Sequence, residues 1–409
     1  MIERLQISNL RNLTQVNLQS AACNVVIGAN GSGKTSLLEA IFLLSRGKSF
    51  RHHQPKRYIQ HHQTSATVHA KLNGSSTLAI QKQADATTLL RLNQATVYNQ
   101  SVLTEQLPTL LIDPSTMDML EQGSASRRQL LDWLVFHMKQ GFHPQWVAYQ
   151  RLLKQRNSLL KRARHLTQVQ LAELHSWDKG LSSHAALIHH YRERIFMEWQ
   201  PYFADSIAQL LPAYAEQLSL TYSAGYDTSV ALDVQLNERL EQDLQLGYTR
   251  IGNHRADIHV HWRSSDFAAA ISSDSKSATV DSNNLSQVEV NTKQTVLKEQ
   301  AANILSRGEK KLLITALRLS QLPLLLNAEQ TADLSIGECS TRATPVVLLD
   351  DITAELDSTA IEILLSTLAT LPCQVFMTSL TDDIVPLVKE LWKNPSVFHV
   401  KQGQIFPTQ

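Results

Sequence analysis

The sequence predicts an α/β protein whose core is split between the two ends of the chain. An antiparallel β subdomain is attached to it, and a helical, coiled-coil-like lobe is inserted into it. Three observations carry this prediction. First, a short apolar run, Val25-Val26-Ile27, leads through Gly28-x4-Gly33-Lys34-Thr35 into apolar residues at helical spacing: Leu37, Leu38, Ile41, Phe42 and Leu44. Second, another apolar run, Pro345-Val346-Val347-Leu348-Leu349, ends in Asp350-Asp351, 316 residues beyond Lys34. Third, much of the intervening chain has a helical period, so the two ends must fold together around an insertion.

In order, Ile2, Leu5 and Ile7 alternate as a first strand, Arg11-Asn12 makes a turn, and Val16-Asn17-Leu18 a second strand. The basic segment Arg46, Lys48, Arg51, His52, His53, Lys56 and Arg57 reads as a solvated loop or as a loop facing nucleotide or DNA. Residues 66–72, 77–80, 89–92 and 110–112 read as an antiparallel sheet, with Asn73-Gly74 as a hairpin turn. From Pro114 the period becomes helical, predicting helices over 127–138, about 145–165 and about 168–210. Trp146, Leu153 and Leu160 recur every seven residues, facing Leu181, Ala185, Ile188, Ile195 and Trp199 on the third helix, which reads as an antiparallel hairpin. Residues 218–222 and 258–262 read as strands. The Ser/Asp/Asn-rich stretch 264–297 and a second polar stretch, 327–343, read as insertions. The domains expected are 1–113, 114–212 and 213–409.

The chemistry lies in the motifs. Backbone N–H groups of Gly28, Ala29, Asn30, Gly31, Ser32, Gly33, Lys34 and Thr35 would face phosphates at a helix N-terminus, where the dipole favours negative charge. Lys34 would reach the β/γ-phosphates, and Thr35 would ligate Mg²⁺. A buried parallel strand delivers acids at its C-terminal edge, so Asp350 would hold Mg²⁺ beside Thr35, and Asp351 would orient and deprotonate water. Leu305-Ser306-Arg307-Gly308-Glu309 opens an apolar helix. Ser306 there reads as a phosphate-binding end, as a helix cap completed by Glu309, or as both. Residues 151–164 carry Arg151, Lys154, Arg156, Lys161, Arg162 and Arg164 without an acid. Solvated faces normally mix signs, so a polyanion contact competes with that plainer reading.

Composition excludes several classes. With 43% hydrophobic and 18% charged residues, a net charge of +1 and no run of 18 apolar residues, the chain reads as an ordinary soluble protein without a membrane span. Cys23, Cys339 and Cys373 are too scattered for a disulfide framework or metal site, which fits a reducing cytoplasm, and no signal-peptide core is present.

Phosphate loop, Leu-Ser-Arg-Gly-Glu signature, acidic pair and Glu355-Leu356-Asp357, in that order, resemble a split ABC-type P-loop ATPase head of the SMC/Rad50 class. Within that class, Ile7–Asn12, Gly47–Arg51, Arg127–Asp132, Leu152–Asn157, Trp177–Leu181 and His254–Asp257 resemble the RecF family of bacterial recombination and repair proteins. The resemblance implies an ATP-dependent homodimer in which Ser306, Arg307 and Gly308 of one copy meet the nucleotide held by the other. It also implies binding of single- and double-stranded DNA with little sequence preference, at gaps or junctions, and cooperation with RecO and RecR in loading RecA. Lys154, Arg156, Lys161, Arg162 and Arg164 are the candidate DNA contacts. The sequence departs from the family at Gly252-Asn253-His254, where Gly-Pro-His is common, and in its two polar insertions. Asp351 stands where transporters carry Glu, and Thr378-Ser379 where they often carry His; both point to a weak, switch-like ATPase. A transporter ATPase subunit is the alternative, but its motifs lie much closer together and it has no use for a basic hairpin.

Overall fold

The computed structural model describes residues 1–113, 120, 123–163, 165–262, 301–327 and 343–407. The stretch 264–297, nearly all of 327–343, and Arg164 lie outside the described residues. The strands, in chain order, are β1 (Ile2–Leu10), β2 (Leu13–Gln19), β3 (Cys23–Ile27), β4 (Ser65–Leu72), β5 (Thr77–Gln83), β6 (Thr88–Leu92) and β7 (Ala95–Val97). They continue with β8 (Thr109–Ile112), β9 (Leu218–Ser223), β10 (Asp257–Trp262), β11 (Val346–Leu349), β12 (Gln374–Ser379), β13 (Ser396–Lys401) and β14 (Gln404–Pro407). The chain divides into two compact units, Met1–Met117 with Phe136–Gln140 and Lys311–Gln409, and Asp118–Val135 with Gly141–Lys310.

The first unit contains two sheets. One is antiparallel, in the order β2-β1-β4-β5-β6-β7. The other, β14-β13-β3-β12-β11-β8, is parallel from β13 to β8, with β14 antiparallel at its edge. Every residue of β3, β11 and β12 is buried, as expected of parallel strands covered on both faces. The expectation that 110–112 belongs to the antiparallel set is corrected. β8 runs parallel to β11, with Val346 opposite Thr109 and Leu349 opposite Ile112. Its continuous apolar run lacks the alternation of a half-exposed strand, and burial on both faces is what such a run requires.

Helix α1 (Lys34–Arg46) buries Leu37, Leu38, Ile41 and Leu44 completely, each contributing about 1.5–3 kcal/mol. Phe42 is half-buried and packs edge-on against Phe50, ring centroids 5.4 Å apart.

The second unit holds α2 (Ser124–Met138) up to Val135, followed by α3 (Phe142–Arg162) and the 43-residue α4 (Gln168–Leu210). At 1.5 Å per residue α4 is about 64 Å long. Thr167 and Gln170 form a reciprocal cap at its start. The pairings Gln145–His184 and Arg156–Asp178, with Leu152 against Gly180, run in opposite directions along the two helices, so they are antiparallel. Tyr149, Leu153 and Leu160 are buried in the seam with Leu181, Ala185, Ile188, Ile195 and Trp199, while Trp146 is half-buried. Packing does not divide the chain at 213. β9 pairs with β10 and, with α5 (Leu232–Glu238), packs on α4, keeping these elements in the helical unit. Asn253 is fully buried, its amide donating to Ala185 O at 2.8 Å, which gives the departure at Gly252-Asn253-His254 a structural role.

Candidate functional site

The loop at residues 28–33 is shaped by close approach. A Cβ on Gly28 would stand 2.5 Å from Val400 O, and Gly33 has φ 122°, in the region that favours glycine. Asn12, at the β1–β2 turn, donates to Gly31 O (3.0 Å) and accepts from Ser36 Oγ (3.1 Å). From the β13–β14 turn, Gly403 N donates to Ser32 O (2.8 Å). The loop is therefore held from two sides, ahead of a 13-residue helix whose first N–H groups lack intrahelical partners. Behind it, Arg11 makes a bidentate pair with fully buried Glu39 of α1 (2.9 and 2.8 Å), and Ser49 Oγ donates to the same carboxylate.

Lys34 Nζ donates to Gly28 O (2.6 Å) and Ala29 O (3.2 Å). Burial lowers its pKa, against the opposing pull of Asp351 and Asp350. Thr35 Oγ1 and Thr378 Oγ1 both donate to Asp350 Oδ1, each at 3.0 Å, and Thr378 Oγ1 accepts from Asp351 N at 2.8 Å. Burial pushes the Asp350 carboxyl up, opposed by the Thr378 and Thr35 hydroxyls, with Asp113 and Asp351 adding to the rise. Such a carboxylate gains from a neighbouring cation. Asp351 has the left-handed φ of 51°, which costs a non-glycine residue about 1–2 kcal/mol. Among the described residues its Oδ1, like Ser32 Oγ, is buried without a hydrogen-bond partner. Strain and an orphaned carboxylate oxygen at one residue are features that functional sites retain.

This donor set fits a nucleotide phosphate with a hard cation: free helix N–H groups, a lysine, one hydroxyl and one carboxylate. Among the described residues no group of three or more His, Cys, Asp or Glu could hold a metal by itself, so phosphate oxygens would have to complete the sphere. The structure thus gathers Gly28–Thr35, Asp350 and Asp351. It adds Asn12 and Thr378, which sequence reasoning left without a role. Thr378 was visible as the hydroxyl standing where transporters carry His, and Asn12 as the residue closing the first hairpin.

Ser306, Arg307 and Gly308 lie in the second unit. Ser306 N donates to Glu309 Oε2 (2.7 Å) and Glu309 N to Ser306 Oγ (3.4 Å), a capping box at the start of α6 (Arg307–Leu319). Apart from its own chain neighbours and helix backbone, no atom among the described residues lies within 4 Å of where a Gly308 Cβ would stand, and its φ is ordinary.

On the hairpin, Lys154, Lys161 and Arg162 are exposed. Lys154 and Arg162 line an open hollow of roughly 490 Å³ together with Trp177 and Gln170. Arg156 is corrected as a DNA contact: it is fully buried, paired with Asp178 (2.8 Å) and Asp243 (2.7 Å), and its charge is already neutralised. Arg164 lies outside the described residues.

Comparisons with known proteins show the family and the fold. The family "RecF/RecN/SMC N terminal domain" matches residues 1–405. A DNA replication and repair protein RecF from Acinetobacter baumannii is 39% identical over 406 residues, covering 99% of this chain and 98% of its own. The RecF of Teredinibacter turnerae is 32% identical over 411 residues, with coverage of 99% and 96%. The solved recombination mediator RecF-ATP superposes with a TM-score of 0.77 at 19% identity, covering 100% of this chain and 97% of that one. An Smc head with an extended coiled coil, from Pyrococcus furiosus, gives 0.52 at 13% identity, covering 100% and 96%. These two show the fold, a split ATPase-head architecture with an attached β sheet and helical arms. Sequence similarity along the whole length then places the chain in the RecF family of the SMC-like ATPase class.

Proposed function

We propose that this protein is an ATP-switched, DNA-binding recombination mediator in DNA repair and replication-fork maintenance, acting in the cytoplasm. On this reading two copies close on ATP and Mg²⁺, clamp single- and double-stranded DNA at gaps or junctions with little sequence preference, and work with RecO and RecR to promote RecA loading. The observation that carries it is the meeting of Thr35, Asp350 and Thr378 at one carboxylate oxygen, with the unpartnered Asp351 Oδ1 alongside. The relatives named as DNA replication and repair proteins support the pathway.

The residues divide the work. N–H groups of Gly28–Thr35 bind phosphate, and Lys34 Nζ moves from the carbonyls of Gly28 and Ala29 to phosphate oxygen. Thr35 and Asp350 hold the cation; Asp351 Oδ1 orients water and takes its proton. Bound ATP and Mg²⁺ supply a transferable phosphoryl group and neutralise its charge. Ser306, Arg307 and Gly308 act from the second copy, and the open space at Gly308 leaves room for that approach. Asp351 in place of glutamate and Thr378-Ser379 in place of histidine favour slow hydrolysis, which serves to reset the switch. Lys154, Lys161 and Arg162 meet the DNA backbone, and the Trp177 edge of the hollow suits an unstacked base.

Light scattering with and without ATP and Mg²⁺, beside DNA binding over a salt series, tests the reading. ATP-dependent dimers and salt-sensitive DNA binding are expected; a chain that stays monomeric and ignores DNA overturns it.

A further inference from the structure

Ser306 is useful only if the start of α6 keeps its shape, and what holds that shape is Glu309. Its carboxylate receives Ser306 N on Oε2 and the hydroxyl of Tyr214 on Oε1, at 2.7 and 2.5 Å. Tyr214 stands four residues beyond the end of α4, in a 3₁₀ turn fastened by Tyr214 N to Leu211 O (2.9 Å). Its ring packs on Trp262, the last residue of β10, with centroids 5.2 Å apart. One hydroxyl therefore joins the root of the long helix to the signature. The donor from Tyr214, followed by those from Ser306, holds the Glu309 carboxyl below its ordinary range, so it stays ionised and keeps both bonds.

We propose that Tyr214 is a positioning residue for the signature: by holding Glu309 it presents Ser306 to the nucleotide bound by a second copy, and it ties that presentation to the root of the helical arm. This rests on the dimer reading above. Among the described residues the hydroxyl bonds Glu309, and the ring contact with Trp262 would survive its removal.

Tyr214→Phe is the direct test. Amide exchange over residues 305–310 should rise, and ATP-dependent dimerisation should weaken about tenfold, the usual loss for a hydrogen bond to a charged group. Binding of ATP to the isolated chain should be unchanged, since Lys34 and Thr35 serve the copy's own nucleotide. In a Glu309→Ala background, Tyr214→Phe should add nothing. Glu309→Gln, which sets an amide N–H against one of the two donors, should repeat the dimer defect with the tyrosine ring intact; it serves as the second variant if Tyr214→Phe folds poorly. Wild-type exchange and dimerisation in both single variants, or additive effects in the double variant, would overturn the proposal. A wild-type chain that fails to dimerise with ATP overturns the dimer reading as well, whereas normal wild-type dimers beside unaffected variants overturn this inference alone.

Discussion

The phosphate-loop site and the helical hairpin both bury charged side chains, and they treat them in opposite ways. On the hairpin, Arg192 is fully buried and makes a bidentate pair with Asp132 (2.8 and 3.0 Å) while donating to Asn253 O (2.9 Å) and lying 5.1 Å from the Trp146 ring. Arg156 is answered by two carboxylates and Thr249, although burial pushes the Asp178 carboxyl up and Arg156 Nη2 and Asp178 Oδ2 are buried without a hydrogen-bond partner among the described residues. In the site, Asp350 is pushed up by burial, Lys34 rests on two carbonyls, and Asp351 Oδ1 has no partner. Buried charge answered by an opposite charge within the chain holds the fold together; Asp350, answered by the Thr35 and Thr378 hydroxyls, is suited to a ligand's cation. The distinction is energetic, because breaking a buried pair strands a charge whereas filling an incomplete site removes a penalty already present.

The widest gap between the two regions should show in activity. Asp351→Asn is expected to slow ATP hydrolysis by about 10²–10⁴-fold while ATP still drives dimerisation, as followed by phosphate release and light scattering. An unchanged rate would remove Asp351 from the chemistry. Arg156→Ala should instead cost stability, about 3–5 kcal/mol in urea unfolding, because Asp178 and Asp243 are left buried without their cation. A neutral result there would mean that the arm's charges are not matched as the geometry implies.

His254 offers a pH test confined to the hairpin unit. Its Nδ1 lies 3.0 Å from Tyr149 OH and its Nε2 3.0 Å from Thr249 O, and burial lowers its pKa to about 4. With the folded value depressed below the ordinary 6.5, its contribution is fully present above pH 6.5 and is lost as pH falls towards 4. The loss is on the order of 3 kcal/mol. A His254→Asn variant should flatten that part of the pH–stability curve. The smallest effect belongs to the surface. Reversing Lys154 and Arg162 to Glu should leave urea unfolding within about 0.5 kcal/mol of wild type and reduce the salt dependence of DNA binding by about one unit per cation removed. An unchanged salt slope would make these side chains an ordinary solvated face.

Much of this was legible in advance where chemistry is local. The phosphate loop needs glycine at close approaches and a strand and helix on either side, and these are contiguous in the chain. The run ending at Asp350-Asp351 reads as a parallel strand for a similar reason. β8 was misassigned because three apolar residues fit either sheet, and only the strand beside them decides. Charge alone suggests Arg156 as a DNA contact, but its period places it in the seam. Tyr149, Leu153, Arg156 and Leu160 follow the four–three–four spacing of a seam, so the arginine stood in a core position all along. Asp178 and Arg192 occupy the same kind of position on α4, among Leu174, Leu181, Ala185, Ile188 and Ile195.

By itself the sequence determined which segments could bind phosphate, which strand could carry acids to its edge, and which helices could pair. Each of these follows from backbone conformation and side-chain period over a few turns. Tertiary structure alone decided which charges are satisfied. Whether Thr378 reaches Asp350, whether Arg156 faces water or two carboxylates, and whether Tyr214 finds Glu309 depends on groups 28, 22 and 95 positions apart. Electrostatic interactions act through space, at distances that only the folded chain sets.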